Sequence, residues 1–69
     1  MSDSIQHTIA KRVREMRMSL KMSKVEFALQ LGISRQQLDR LESGRSNITL
    51  NTLEKIARNM GLEPWELIK

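Results

Sequence analysis

KVEFALQLGISRQQLDRLESGR, residues 24–45, decides how this chain folds. Apolar or small residues fall at Val25, Phe27, Ala28, Leu31, Ile33, Leu38 and Leu41, a pattern that fits two short helices. Gly32 interrupts it where a backbone with positive φ costs little. Ser34 restarts a helix as its N-cap, with Gln37 three residues on to form a capping box. Ala28 supplies the small residue that two steeply crossing helices need, and Leu38 and Leu41 pin the second helix to the core. Arg35, Gln36, Gln37 and Arg40 are left pointing mostly outward. Such a face suits a helix that reads base edges in a DNA major groove.

On the N-terminal side, Ile5, Ile9, Val13, Met16 and Leu20 recur every three to four residues and predict a first helix with one apolar stripe. Residues 1–4 are polar and expected to fray. Ser23 and Glu26 make another capping box, opening a helix that ends at Gly32. The helix from Ser34 to Ser43 stops at Gly44, and Arg45 to Ile48 is a loop. Thr49 caps a fourth helix whose stripe is Leu50, Leu53, Ile56, Ala57 and Met60, ended by Gly61. Pro64 fits a first helical position, so Trp65 to Ile68 form a short last turn. Strand-period alternation is absent. The expectation is an all-α, compact five-helix domain spanning residues 1–69, with the helix pair at 24–43.

Sixty-nine residues are near the lower limit for a core without staples. With no cysteine and one histidine, His7, neither disulfides nor a metal site is expected to hold the fold. Aliphatic packing, helped by dimerisation, must supply the stability. No apolar run approaches a membrane span and no signal-peptide pattern opens the chain, so the expected location is cytoplasmic. The net charge is +4, and Lys11, Arg12, Arg14, Arg17, Lys21 and Lys24 crowd a stretch whose sole acid is Glu15. Acids gather later, at Glu63 and Glu66, giving a surface with one face suited to phosphates. For Lys11 and Arg14 an ordinary solvated helix face explains the charge equally well.

The order Ala28, Gly32, Ile33, Leu38, Leu41 resembles the helix-turn-helix of phage repressor and Cro-type (XRE) regulators. Arg17, the run Glu42–Ser43–Gly44–Arg45, and the later Thr49–Leu50, Leu53, Ile56–Ala57 and Gly61 also match that family's pattern, so the resemblance covers about Ile9 to Ile68. A lone helix-turn-helix match is weak evidence, whereas one sustained through five helices' worth of spacing is strong. The resemblance implies a repressor-like fold that binds double-stranded DNA. It also implies that Arg35, Gln36 and Arg40 contact bases. Arg suits the paired acceptors of guanine and Gln the edge of adenine. Gln37 is a further base-contact candidate that also serves as a cap partner, and Asp39 reads as a solvent-facing acid. Ser23, Lys24, Arg45, Ser46 and Asn47 are the phosphate candidates, from a helix N-terminus and a donor-rich loop that lies along the backbone in the family. The family also places an arginine late in the first helix against a glutamate ending the recognition helix, here Arg17 and Glu42. Arg35 stands where several familiar repressors carry glutamine, so their operators do not transfer.

Catalytic readings fare poorly. Ser23 and Ser34 have no histidine base nearby in sequence and are explained as caps. Glu26, Asp39 and Glu42 sit among basic neighbours, so neither an acid–base pair nor a hard-metal site is expected, and no cofactor. The expected function is a sequence-specific transcriptional regulator binding an inverted-repeat operator as a homodimer. A phage-type repressor, a restriction–modification controller and an autoregulating antitoxin fit equally. A toxin or RNA polymerase is conceivable as a partner protein. The dimer surface is expected at Trp65, Leu67 and Ile68, one of which plugs the core. The competing class is a protein-interaction module, which predicts an apolar or acidic third-helix face. RNA binding lacks an aromatic stacking surface, since Phe27 and Trp65 are the chain's only aromatics.

Overall fold

The computed structural model describes residues 5–45 and 48–68. Four α-helices follow one another: α1 Ile5–Ser19, α2 Lys24–Leu31, α3 Arg35–Glu42 and α4 Leu50–Met60. The fifth element is a 3-10 turn, Pro64–Leu67, not an α-helix. Its four residues are closed by i→i−3 bonds, from Glu66 N–H to Glu63 O and from Ile68 N–H to Trp65 O. Helices account for every regular element among the described residues.

The starts of α2, α3 and α4 follow from their caps. Ser23 Oγ accepts the Glu26 N–H while the Glu26 carboxylate accepts the Ser23 N–H. Ser34 and Gln37 repeat that exchange at α3, and Thr49 Oγ1 accepts from Thr52 N–H at α4. The helix ends share one device. Gly32, Gly44 and Gly61 adopt φ of 75°, 77° and 76°, and Lys21, after α1, adopts 55°. At each, the next residue's N–H reaches back five positions: Met22 to Arg17 O, Ile33 to Ala28 O, Arg45 to Arg40 O and Leu62 to Ala57 O. These are Schellman closures, which satisfy carbonyls that a helix end otherwise leaves without partners. Lys21 adopts this conformation despite its Cβ, an exception that helical periodicity does not reveal.

The core gathers Ile9, Val13, Phe27, Ala28, Leu31, Leu38, Leu41, Leu53, Ile56, Ala57 and Leu67, with Met16, Met22, Ile33, Ile48, Met60 and Leu62 packed around it. Each fully buried large side chain is worth about 1.5–3 kcal/mol of hydrophobic stabilisation, before chain entropy is set against it. α3 packs on α1 and α2, α2 on α4, and the 3-10 turn on α1 and α4. The apolar stripe of α1 is shorter than its periodicity implies. Ile5, at its first position, is 59% exposed, and Leu20 is 48% exposed because the helix stops at Ser19 and turns away at Lys21.

Candidate nucleic-acid interface

α3 is eight residues long, and Leu38 and Leu41 bury its inner side. At about 3.6 residues per turn, the opposite side centres on Gln36 and Ser43. Arg35 and Asp39 flank that line on the α2 side, and Arg40 and Gln37 flank it on the α4 side. Arg35, Gln36, Gln37 and Arg40 are all exposed. An open groove of about 410 Å³ brings Gln37, Arg40 and Arg45 together over a floor that includes Ile33, Leu41, Ile48 and Ile56. Gln36, on the crest of the helix, and Arg35, on its far shoulder, stand outside this groove.

Gln37 is partly committed. Its Oε1 accepts the Ser34 N–H at 3.0 Å, an assignment fixed by chemistry since the backbone group can only donate. Its amide NH₂ remains, so Gln37 can donate to a base or phosphate while its oxygen is occupied.

Arg17 and Glu42 meet as a two-armed pair, Nε to Oε2 at 2.8 Å and Nη2 to Oε1 at 3.2 Å. Their side chains are 17% and 5% exposed, and the hydrogen bond to Glu42 raises the Arg17 pKa despite opposing desolvation. The third arm, Nη1, donates to Met22 O at 3.2 Å. One guanidinium therefore joins the ends of α1 and α3 to the turn leading into α2.

Lys24, assigned to phosphate from sequence, lies with Nζ 3.0 Å from Asp39 Oδ1. The distance makes an ion pair, although the groups lack the alignment of a hydrogen bond. Asp39 is thus not a purely solvent-facing acid, and its pKa is held down chiefly by contact with the Lys24 ammonium, with Arg35 adding to the effect. Two of the six cations crowded into residues 11–24, Arg17 and Lys24, are matched by acids of α3. Opposite charges on separate helices leave no periodic trace, so sequence reasoning missed the Lys24–Asp39 contact.

Ser23 retains its hydroxyl proton while Oγ accepts from Glu26, and the exchange with Ser23 holds the Glu26 pKa down. That carboxylate occupies part of the α2 N-terminus, leaving the Ser23 hydroxyl and the first helical N–H groups to meet an anion. Arg45 is exposed and its backbone closes α3. Ser46 and Asn47 lie outside the described residues. Asn59, unremarked in the sequence, donates from α4 to Leu31 O at 2.8 Å and seats the turn at Gly32.

At the C-terminal end, Leu67 is wholly buried and belongs to the core, not to a dimer surface. The 3-10 turn folds it inward against α1 and α4. Trp65 and Ile68 remain 55% and 40% exposed.

A helix held by caps, seated by two leucines and presenting a basic polar face is the recognition unit of a helix-turn-helix. The matching family model, Helix-turn-helix, spans residues 13–67. The chain belongs to this family, of the Cro/C1/XRE type, and is a DNA-binding transcriptional regulator. It is similar to Control protein C.BamHI of Bacillus amyloliquefaciens, at 29% identity over 69 residues, covering 99% of this chain and 85% of that protein. Its fold matches the hypothetical transcription factor NHTF from Neisseria, with TM-score 0.86 and 28% identity over 100% of this chain and 82% of that one. It also matches the restriction-modification controller protein C.AhdI from Aeromonas hydrophila, with TM-score 0.78 and 29% identity, covering 90% and 94%.

Proposed function

We propose that this regulator is a controller-type protein that binds an inverted-repeat operator as a homodimer, each copy laying α3 in a major groove. The observation that carries the reading is the exposed row Arg35, Gln36 and Arg40 on a short helix whose position is set independently by Leu38, Leu41 and the Glu42–Arg17 pair. In this reading those three side chains read base edges, and Gln37 adds a donor from the groove. Ser23 and Arg45 hold phosphates, the role the sequence also gives to Ser46 and Asn47. The controller relatives are of similar length, and this chain covers most of each.

A single recognition helix spans too few base pairs for useful specificity, which is the reason for a pair of chains on half-sites about 34 Å apart. Trp65 and Ile68 are the apolar surface offered to the second copy. The regulator acts in the cytoplasm, where the DNA is, and no described helix is long and apolar enough to cross a membrane.

Selection of bound sequences from random duplex DNA, followed by the mass of the complex on the enriched site, tests the proposal. A two-fold-symmetric motif carrying two chains is the expected result. No enriched motif at moderate salt would favour the protein-interaction module instead.

A further inference from the structure

We propose that Asp39 is a specificity-determining residue, pinned by Lys24 so that its second carboxylate oxygen accepts a hydrogen bond from a base amino group, cytosine N4 or adenine N6. The inference rests on the reading that α3 enters the major groove.

Geometry gives Asp39 a place among the readers. It lies one helical turn beyond Arg35 and three residues beyond Gln36, on the shoulder of α3 turned toward α2. Oδ1 is shut off from solvent beside Lys24 Nζ, 3.0 Å away, yet the side chain as a whole is 45% exposed. The exposed polar atom is therefore Oδ2. A carboxylate there accepts hydrogen bonds and donates none. The Lys24 and Arg35 charges that depress its pKa keep it in that form at neutral pH.

An acid on a face that approaches DNA weakens attraction to every phosphate alike, so its presence calls for an account. Fold stability is a poor one, because an ion pair this exposed contributes little. Base discrimination is a better one. In the major groove cytosine N4 and adenine N6 are donors, whereas guanine O6 and N7 and thymine O4 are acceptors that oppose a carboxylate. Arg35 and Arg40 favour the acceptor-rich edge of guanine. Asp39 supplies the opposite preference between them in the chain, and Lys24 cancels its charge and fixes its rotamer. Lys24 is thus a positioning residue for base readout.

The test is selection from random duplex DNA at one fixed salt concentration with the wild-type chain, Asp39→Ala, Asp39→Asn and Lys24→Gln. Titration of the enriched site and its single-base variants follows. Retained helical circular dichroism establishes that each variant is folded. The wild-type motif should contain one position per half-site where the contacted base is cytosine or adenine. Asp39→Ala should lose about tenfold discrimination there and leave other positions unchanged. Asp39→Asn, which can also donate, should admit guanine or thymine at the same position. Lys24→Gln should blur that position without moving it.

A wild-type motif kept intact at every position by Asp39→Ala, with affinity shifted equally on all sequences, overturns the proposal and leaves Asp39 a charge partner only. Failure of the wild-type chain to enrich any motif removes the underlying reading of α3, and this proposal with it.

Discussion

Arg17 and Glu42, 25 positions apart, form a two-armed ion pair whose guanidinium also holds the carbonyl of Met22. Three segments meet at one planar group: the end of α1, the end of α3 and the residue before the Ser23 cap. The recognition helix is oriented from its C-terminal end by this contact and from its start by its own capping box.

Removing one partner leaves the other largely buried without a counter-charge, which costs more than the pair contributes on its own. Glu42→Ala should lower unfolding free energy by about 1–3 kcal/mol. Arg17→Met with Glu42→Leu should recover most of it, while the loss of orientation persists as weaker operator binding. Urea unfolding of the four chains of this mutant cycle gives the coupling. Simple additivity would show that the side chains do not interact energetically.

Arg40 tests base readout. Arg40→Ala should weaken the cognate site by about 1–3 kcal/mol per half-site and relax preference at one base position. Equal losses on cognate and scrambled duplexes would make it a phosphate ligand instead.

Salt dependence separates free cations from matched ones. The logarithm of affinity should fall linearly with the logarithm of salt concentration, and Arg45→Gln should reduce the slope by roughly one for each phosphate that is no longer neutralised. The double change Lys24→Gln with Asp39→Asn removes a plus and a minus together, so the slope should stay close to that of the wild type. A drop as large as that of Arg45→Gln would mean that Lys24 leaves Asp39 to meet a phosphate in the complex.

Assembly is tested at the exposed residues of the last turn. Trp65→Asp should leave the chain folded but abolish cooperative occupancy of a two-fold operator, read by analytical ultracentrifugation and by band-shift stoichiometry. Leu67→Asp is no substitute, because it places a charge in the core and unfolds the chain. Two chains per operator with unchanged cooperativity in Trp65→Asp would rule out this surface.

The α1 stop offers a stabilising change. Lys21 holds a φ of 55° that glycine adopts without steric cost. Lys21→Gly should raise stability by up to about 1 kcal/mol, the left-handed penalty relieved less the extra entropy of an unfolded glycine. An unchanged or lowered thermal midpoint would show that the Lys21 side chain contributes something the backbone conformation does not account for.

How much of this is legible in the sequence? Caps and stops are plain, because Ser23–Glu26, Ser34–Gln37, Thr49, Gly32, Gly44 and Gly61 act through neighbours three to five residues away. The buried stripes of α2, α3 and α4 are equally clear. What escapes is the set of contacts between elements. Asn59 reaching Leu31 O and Lys24 reaching Asp39 join residues 28 and 15 positions apart, distances over which no periodicity operates. Family resemblance alone points to the Arg17–Glu42 pair. Leu67 is misplaced from sequence for a related reason: a four-residue turn has too little pattern to say which of its apolar side chains faces inward.

One consequence follows from how the duties of α3 are shared out. Leu38 and Leu41 seat it, Gln37 closes its start and Glu42 orients its end, so half of its eight residues are spoken for. Arg35, Gln36, Asp39 and Arg40 set neither its boundaries nor its seat. In the proposed reading they are a four-letter address, written on a helix whose construction does not depend on the wording. A duplicated copy of such a protein can drift to a new operator by rewriting those letters while remaining able to fold. Related regulators can then share one cell and keep to separate sites.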